Sequence, residues 1–254
     1  MERIALVRRP SPHMADGIVT HIDRTPVDAE RAAAQHAAYV DALAGAGWGI
    51  REVAPADDLP DSAFIEDTMV VCDGLAVLTR PGAPERQAEV AGAEDAARAL
   101  GLDIARIEAP GTLDGGDVLE VGDTVYVGRG GRTNGEGIRQ LRRHLATRGR
   151  TVVPVALRAV LHLKSAVTAL PDGTCIAADP GLVDTSPFPT LRTVPEGGGA
   201  HVVLLGGGAV LMATSAPGSA ELFEDLGFDV VAVDVGEFEK MEGCVTCLSV
   251  LVRT

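Results

Sequence analysis

Phe64-Ile65-Glu66-Asp67-Thr68-Met69-Val70-Val71-Cys72-Asp73-Gly74-Leu75-Ala76-Val77-Leu78-Thr79-Arg80 sets an apolar run on either side of an Asp-Gly pair. Asp-Gly supplies the backbone angles of a tight hairpin turn, so the stretch reads as two short antiparallel strands. An Ala-rich helical stretch follows at about 84 to 100, and then an apolar strand, Ile104 to Glu108. The order strand, strand, helix, strand recurs. A second unit runs from Leu113 through Gly122-Asp123 to Gly128, with a helix at about 134 to 148 and a strand from Thr151 to Val155. A third starts at His162 and turns at Pro171-Asp172-Gly173, with a short, poorly marked helix. The fourth begins at His201, turns at Gly206-Gly207-Gly208, and ends in a helix at 217 to 226 and a strand from Phe228 to Val233.

The remaining segments complete a fifth unit: a terminal apolar strand, Cys244 to Val252, an N-terminal strand, Ile4 to Val7, and a helix at about 27 to 45. Repeats of this size build solenoids, propellers or arrays. Pairing the two terminal strands would leave no strand edge open, which favours the closed form. The expected fold class is therefore α/β, a five-bladed α/β propeller of pseudosymmetric ββαβ repeats, closed by pairing of the N- and C-terminal strands. No long linker or low-complexity tract interrupts the units, so residues 1–254 are expected to form a single catalytic domain. With 46% hydrophobic but only 3% aromatic residues, its core must be built from Val, Leu, Ile and Ala.

The formal net charge of -14 opposes a phosphate backbone, because nucleic-acid binding relies on clustered Lys and Arg to release counterions. Nucleic acid is not an expected partner. The acidity serves solubility and, secondarily, the steering of a cationic substrate. The longest apolar stretches, such as His201 to Met212, contain glycines and fall short of the ~20 residues a membrane helix needs. Charges at Glu2, Arg3, Arg8 and Arg9 occupy the place of a signal peptide's apolar run, so a cytoplasmic protein with no membrane association is expected. Cys72, Cys175, Cys244 and Cys247 are too few for a disulfide scaffold and stand as packing residues or reagents. Cys244 and Cys247 form a C-x-x-C, but there is no second pair for zinc and no helix start for redox chemistry. In the strand expected there, moreover, residues three apart face opposite sides.

Glu66, Asp114 and His162 follow one another at intervals of 48 residues, at the starts of successive units. In a ring of repeats, equivalent strand ends converge on the axis, so residues remote in sequence can share one pocket. Adjacent acids at Glu66 and Asp67, in a strand-like apolar setting, need a cationic partner once buried. A guanidinium suits them, since its planar fork of five N–H donors matches two carboxylates; a solvated strand end or an internal Arg pair fits equally well. Leu113-Asp114-Gly115-Gly116-Asp117 lets backbone approach a ligand closely, or simply turns. His162, between leucines that would point to the other strand face, is a proton shuttle or a satisfied core histidine. Arg86 and Arg132 suit bidentate pairing with a carboxylate, or the surface. The glycines from Gly130 to Gly137 lack the Gly-Lys-Ser/Thr ending of a phosphate loop.

Taken in order, these motifs resemble the dimethylarginine dimethylaminohydrolases, within the guanidine-modifying superfamily that includes arginine deiminases and amidinotransferases. The resemblance spans nearly the whole chain, most strongly over 59–86, 112–118, 132–134, 161–165 and 242–250, and it implies the fold that the repeats indicate separately. It implies Cys247, within Thr246-Cys247, as nucleophile, His162 as general acid and base, and Asp114 as the residue orienting His162. Glu66 and Asp67 match acids at the substrate guanidinium. Asp61 and the Met241 carbonyl match contacts that hold the substrate, including its α-amino group. Arg86 and Arg132 match the pair reading its α-carboxylate, and Ile18 the loop covering the pocket. Glu242 stands where some relatives have Asp, and is expected near the distal guanidinium nitrogens.

The implied reaction is hydrolysis of asymmetric dimethylarginine or monomethylarginine to citrulline and dimethylamine or methylamine, through a covalent Cys thiouronium. No metal or organic cofactor is expected. The partner is a small cationic amino acid, and the resemblance is compatible with a homodimer. Two rivals remain. An arginine deiminase acting on unmethylated arginine would use the same nucleophile, although relatives in that branch are typically longer; a non-catalytic propeller, similar to ribosome anti-association factors, would not need Cys247, His162 and paired acids together.

Overall fold

The computed structural model describes residues 3–253. In chain order the elements are β1 (Arg3–Val7), α1 (Ala29–Gly45), β2 (Gly49–Glu52), β3 (Met69–Cys72), β4 (Leu75–Leu78), α2 (Val90–Ala99), β5 (Asp103–Arg106), β6 (Val118–Val121), β7 (Thr124–Arg129), α3 (Gly135–Ala146) and β8 (Thr151–Ala156). There follow β9 (Val167–Ala169), β10 (Cys175–Ala177), β11 (Leu191–Thr193), β12 (Val203–Gly206), β13 (Ala209–Ala213), α4 (Pro217–Asp225), β14 (Asp229–Val233) and β15 (Val250–Arg253). Among the described residues these strands make five three-stranded sheets: β3-β4-β5, β6-β7-β8, β9-β10-β11, β12-β13-β14 and β15-β1-β2. In each, the first strand is antiparallel to the second and the second parallel to the third. The α/β propeller of ββαβ repeats is thus present, and β1 pairs with β15 through Ile4–Val252 and Leu6–Val250, joining the chain's two ends in one blade.

Local chemistry explains the elements. Asp73 and Gly74 both take positive φ (47° and 76°), the requirement of the two-residue hairpin between β3 and β4. The Asp28 side chain caps α1 by accepting from Arg31 N at 3.0 Å, and Asn134 caps α3 by accepting from Gly137 N at 2.8 Å. Helix α1 buries Ala32, Gln35, His36, Tyr39 and Leu43, one stripe at helical spacing, and Tyr39 Oη meets Ser249 Oγ at 2.7 Å just before β15. Fully burying a side chain such as Leu43 contributes about 1.5–3 kcal/mol. In the third blade a single 3-10 turn, Pro180–Leu182, replaces the helix. No helix among the described residues is long and apolar enough to cross a membrane.

One expectation fails at the start of four blades. The stretches expected to open as strands begin instead with short 3-10 turns, Ile65–Thr68, Gly115–Asp117, Leu163–Ser165 and Val245–Leu248, and a fifth such turn, Gly197–Ala200, precedes the start expected at His201. The terminal strand is therefore only Val250–Arg253, not Cys244 to Val252. Three or four residues of mixed polarity fit a strand's alternation as well as a turn's period of three, and the sequence pattern does not separate them.

Candidate active site

The five turns are the framework of the site. Each is closed by a backbone bond from the third residue after its cap: Asp67 N to Phe64 O at 3.3 Å, Asp117 N to Asp114 O at 3.1 Å, Ser165 N to His162 O at 3.2 Å, Gly199 N to Glu196 O at 3.0 Å and Cys247 N to Cys244 O at 3.1 Å. Equivalent places in the ring are thus Phe64, Asp114, His162, Glu196 and Cys244 at the cap, and Asp67, Asp117, Ser165, Gly199 and Cys247 three residues on. A 3-10 turn has three residues per turn, so cap and third residue lie on the same side while the residue between them points elsewhere. Side chains also join successive turns, since the Asp67 carboxylate accepts from Gly116 N at 2.8 Å and that of Asp117 from Leu163 N at 2.9 Å.

This arrangement divides the middle of the molecule. On one side lies a cavity of about 20 Å³ lined by Ile18, Asp61, Phe64, Asp67, Arg86, Arg132, Leu161, His162, Met241, Glu242, Gly243 and Cys247. On the other lies a larger cavity of about 170 Å³, with Glu66, Lys164 and Thr246 in its wall. The smaller one carries the chemistry, because it alone holds the cysteine and histidine. Glu66 departs from the expectation: as a mid-turn residue it faces the larger cavity, where its carboxylate accepts from Lys164 Nζ at 2.6 Å and Thr246 Oγ1 at 3.0 Å. Its 48-residue spacing from Asp114 is not a structural equivalence.

Asp114 stands behind His162, within the turn-to-turn network rather than in the cavity lining. Its Oδ2 lies 3.0 Å from His162 Nε2, its Oδ1 accepts from Gly82 N at 2.7 Å, and Arg132 Nη1 is 3.7 Å away. His162 Nδ1 is 3.9 Å from Asp67 Oδ1. Burial opposes charge on His162, but Asp67 first, then the bond to Asp114 and the nearby Asp117, outweigh it and push the imidazole up to about 9. Gly115 and Gly116 are required by this packing. A Cβ at Gly115 would lie 1.9 Å from the Glu66 carbonyl oxygen, and one at Gly116 would lie 2.6 Å from His162 Nδ1.

Arg86 is buried and heavily engaged. It donates through Nη1 to Asp67 Oδ2 at 2.6 Å, through Nε and Nη2 to the Glu89 carboxylate at 3.0 and 2.8 Å, and through Nη2 to the Phe64 carbonyl at 3.1 Å. A guanidinium has five N–H donors, so about one remains for a ligand. Arg132 is less engaged, its Nη1 lying 3.7 Å from Asp114 Oδ2. Asp67, Asp114 and His162 could gather around a metal ion, but both carboxylates already accept backbone N–H groups and each has a guanidinium within 4.0 Å. A cation would have to compete with those partners.

Cys247 is 8% exposed and Cys244 3%, and their Sγ atoms are 3.4 Å apart. The C-x-x-C is therefore a spatial pair, contrary to the strand-based expectation, because a turn and not a strand joins its ends. Its partner thiol first, then burial and the charges of Glu66 and Asp67, push the Cys247 thiol well above its ordinary value.

A loop covers the cavity. Asp61 accepts from Ile18 N at 3.1 and 3.2 Å, and Arg24 donates to the carbonyls of Ala15 and Gly17 at 2.7 and 2.6 Å. Glu242 accepts from Ile22 N at 3.0 Å, from Thr20 Oγ1 at 3.2 Å and from His21 N. Its backbone takes φ 61°, uncommon for a residue with a side chain. Glu242 thus spends its carboxylate on the covering loop, not free for the expected guanidinium contact. Sequence reading also missed Phe64, Leu161 and Gly243, which line the cavity without any polar signal to mark them.

No protein-family model matches the chain. Over 249 residues, 98% of this chain and 96% of the relative, it is 59% identical to the N(G),N(G)-dimethylarginine dimethylaminohydrolase of Streptomyces coelicolor. A solved dimethylarginine dimethylaminohydrolase, a histidine-to-glycine variant as the adduct with S-methyl-L-thiocitrulline, superposes with a TM-score of 0.93 at 32% identity, covering 99% of this chain and 100% of that one. The Pseudomonas aeruginosa enzyme, a cysteine-to-serine variant complexed with citrulline, gives 0.90 at 32% identity and the same coverage. Identity at this level across nearly the full length of both chains places this protein in the dimethylarginine dimethylaminohydrolase family.

Proposed function

We propose that the protein hydrolyses Nω-methylated arginine, asymmetric dimethylarginine and monomethylarginine, to citrulline and the methylamine, with residues 1–254 acting as one catalytic domain. The observation that carries the reading is that Cys247 and His162 open onto the same small cavity as Asp61, Asp67, Arg86 and Arg132. The relatives bearing the family's name, and the neighbours solved with citrulline or as a thiocitrulline adduct, support it. Apolar Ile18, Phe64, Leu161 and Met241 beside the acids suit a cation that carries methyl groups.

In this reading the substrate carboxylate meets Arg132 and the remaining donor of Arg86, its α-amino group meets Asp61 and the Met241 carbonyl, and its guanidinium meets Asp67. The free thiol is held up by its hydrogen bond to Cys244 first, then by burial and by nearby negative charge. A bound guanidinium cation offsets that charge and favours the thiolate, the form that attacks. Cys247 Sγ adds to the guanidinium carbon. His162, protonated at neutral pH, gives its proton to the departing amine, and the carbon–nitrogen bond breaks to leave a thiouronium. Neutral His162 then takes a proton from water as its oxygen adds to the same carbon; the carbon–sulfur bond breaks and releases citrulline. Asp114 holds the ring throughout and stabilises its charge.

Purified protein supplied with asymmetric dimethylarginine, monomethylarginine or arginine tests the reading. Citrulline with dimethylamine or methylamine is expected. Ammonia release from arginine, with no turnover of the methylated substrates, would instead make it a deiminase, and no turnover of any would remove the enzyme reading.

A further inference from the structure

We propose that Cys247 and Cys244 form a reversible disulfide when the protein meets a small hydroperoxide, with Cys244 as the resolving thiol. The inference rests on the functional reading only for its effect on turnover; the bond itself depends on the geometry of the last turn. There, Cys247 N donates to Cys244 O at 3.1 Å, closing a one-turn loop. Such a turn brings its end Cα atoms within about 7 Å, against the roughly 4.4–6.8 Å that a disulfide spans. The two Sγ atoms are 3.4 Å apart, so little more than rotation about the Cα–Cβ bonds joins them. Cys247 lines the cavity and Cys244 does not, so an entering oxidant meets Cys247 first, with Cys244 buried directly behind it.

The steps balance with the hydroperoxide as oxidant. Cys247 sulfur, passing its proton to the Cys244 sulfur 3.4 Å away, attacks the distal peroxide oxygen; a sulfur–oxygen bond forms, the oxygen–oxygen bond breaks, and the leaving alkoxide or hydroxide takes up a proton, leaving a sulfenic acid. Cys244 sulfur then attacks Cys247 sulfur; the disulfide forms and hydroxide leaves with the Cys244 proton as water. Two thiols have supplied the two electrons that reduce the peroxide. A dithiol reverses the bond by exchange. The remaining cysteines, Cys72 and Cys175, are buried in other blades and do not line the cavity through which an oxidant enters. The consequence is protection: a disulfide stops the Cys247 sulfur short of the irreversible sulfinic acid.

The test treats pre-reduced full-length protein with hydrogen peroxide, alkylates the remaining thiols and maps the products by mass. Expected are the loss of two hydrogen atoms, a Cys244–Cys247 link in one peptide, and turnover that is lost on oxidation and restored by dithiothreitol. C244S and C244A should still turn over substrate when reduced, but oxidise to Cys247 sulfinic acid and not recover. Sulfinic acid forming equally fast in the wild type, with no link, would overturn the proposal. A linked protein that never turns over substrate in its reduced state would refute the functional reading and leave this one standing.

Discussion

His162 is the residue whose environment says most about the chemistry. In the folded protein its proton is held to about 9, whereas an unfolded histidine releases it near about 6.5. Between those values the folded state binds more protons than the unfolded one, so stability from this group is complete below about 6.5 and is lost as pH rises through 9. Chemical denaturation across this range should show the midpoint falling with pH, and H162Q should flatten that fall; an equal slope in the variant would contradict the assignment. At the next turn, G116A should disturb the ring itself, since the new methyl would lie 2.6 Å from His162 Nδ1 and 2.8 Å from Asp67 Oδ1. Its kcat is expected to fall by about tenfold or more, as small misplacements of reacting groups do, and wild-type kcat would show that the ring has room. Neither contact is legible in Leu113-Asp114-Gly115-Gly116-Asp117, where the glycines look like turn formers; their use is to leave space for residues about 50 positions away.

The elements that matter most are the five turns and the covering loop. The candidate site was legible in the sequence as residue types but not as sides of a turn: equal spacing grouped Glu66 with Asp114 and His162, while the fold groups Asp67 with Cys247 and turns Glu66 to Lys164. Cys244 was discounted for the same reason, a strand assumed where a turn stands. The loop raises a different demand. A cavity of about 20 Å³ has room for about one water, so admitting an amino acid is expected to require the cover to move. Glu242 is the latch on that cover, with its carboxylate on Thr20, His21 and Ile22. E242A should increase hydrogen exchange at residues 18–22 and raise KM several-fold, because loss of about 1 kcal/mol per hydrogen bond weakens closure; unchanged exchange there would show that other contacts hold the loop.

For the molecule as a whole, the repeat was legible because each blade carries its own hairpin, turn residues and amphipathic helix, and local signals suffice to count five units. Closure was legible only by inference from the unpaired strands at the two ends, and the structure joins them in β15-β1-β2. Leu6 lies in that joint, fully buried and opposite Val250. L6A should cost about 2–5 kcal/mol in a denaturant titration, and a loss under 1 kcal/mol would mean that the terminal pairing contributes little. The function draws on the same closure, since it brings Cys247, near the C-terminal end, to the cavity that His162 and Asp67 share. The most direct measurement is the mass of the enzyme acid-quenched while turning over asymmetric dimethylarginine. The peptide carrying Cys247 should gain the mass of the substrate less dimethylamine, and C247S should show neither adduct nor turnover; citrulline formed by C247S, or an adduct on another residue, would contradict the account.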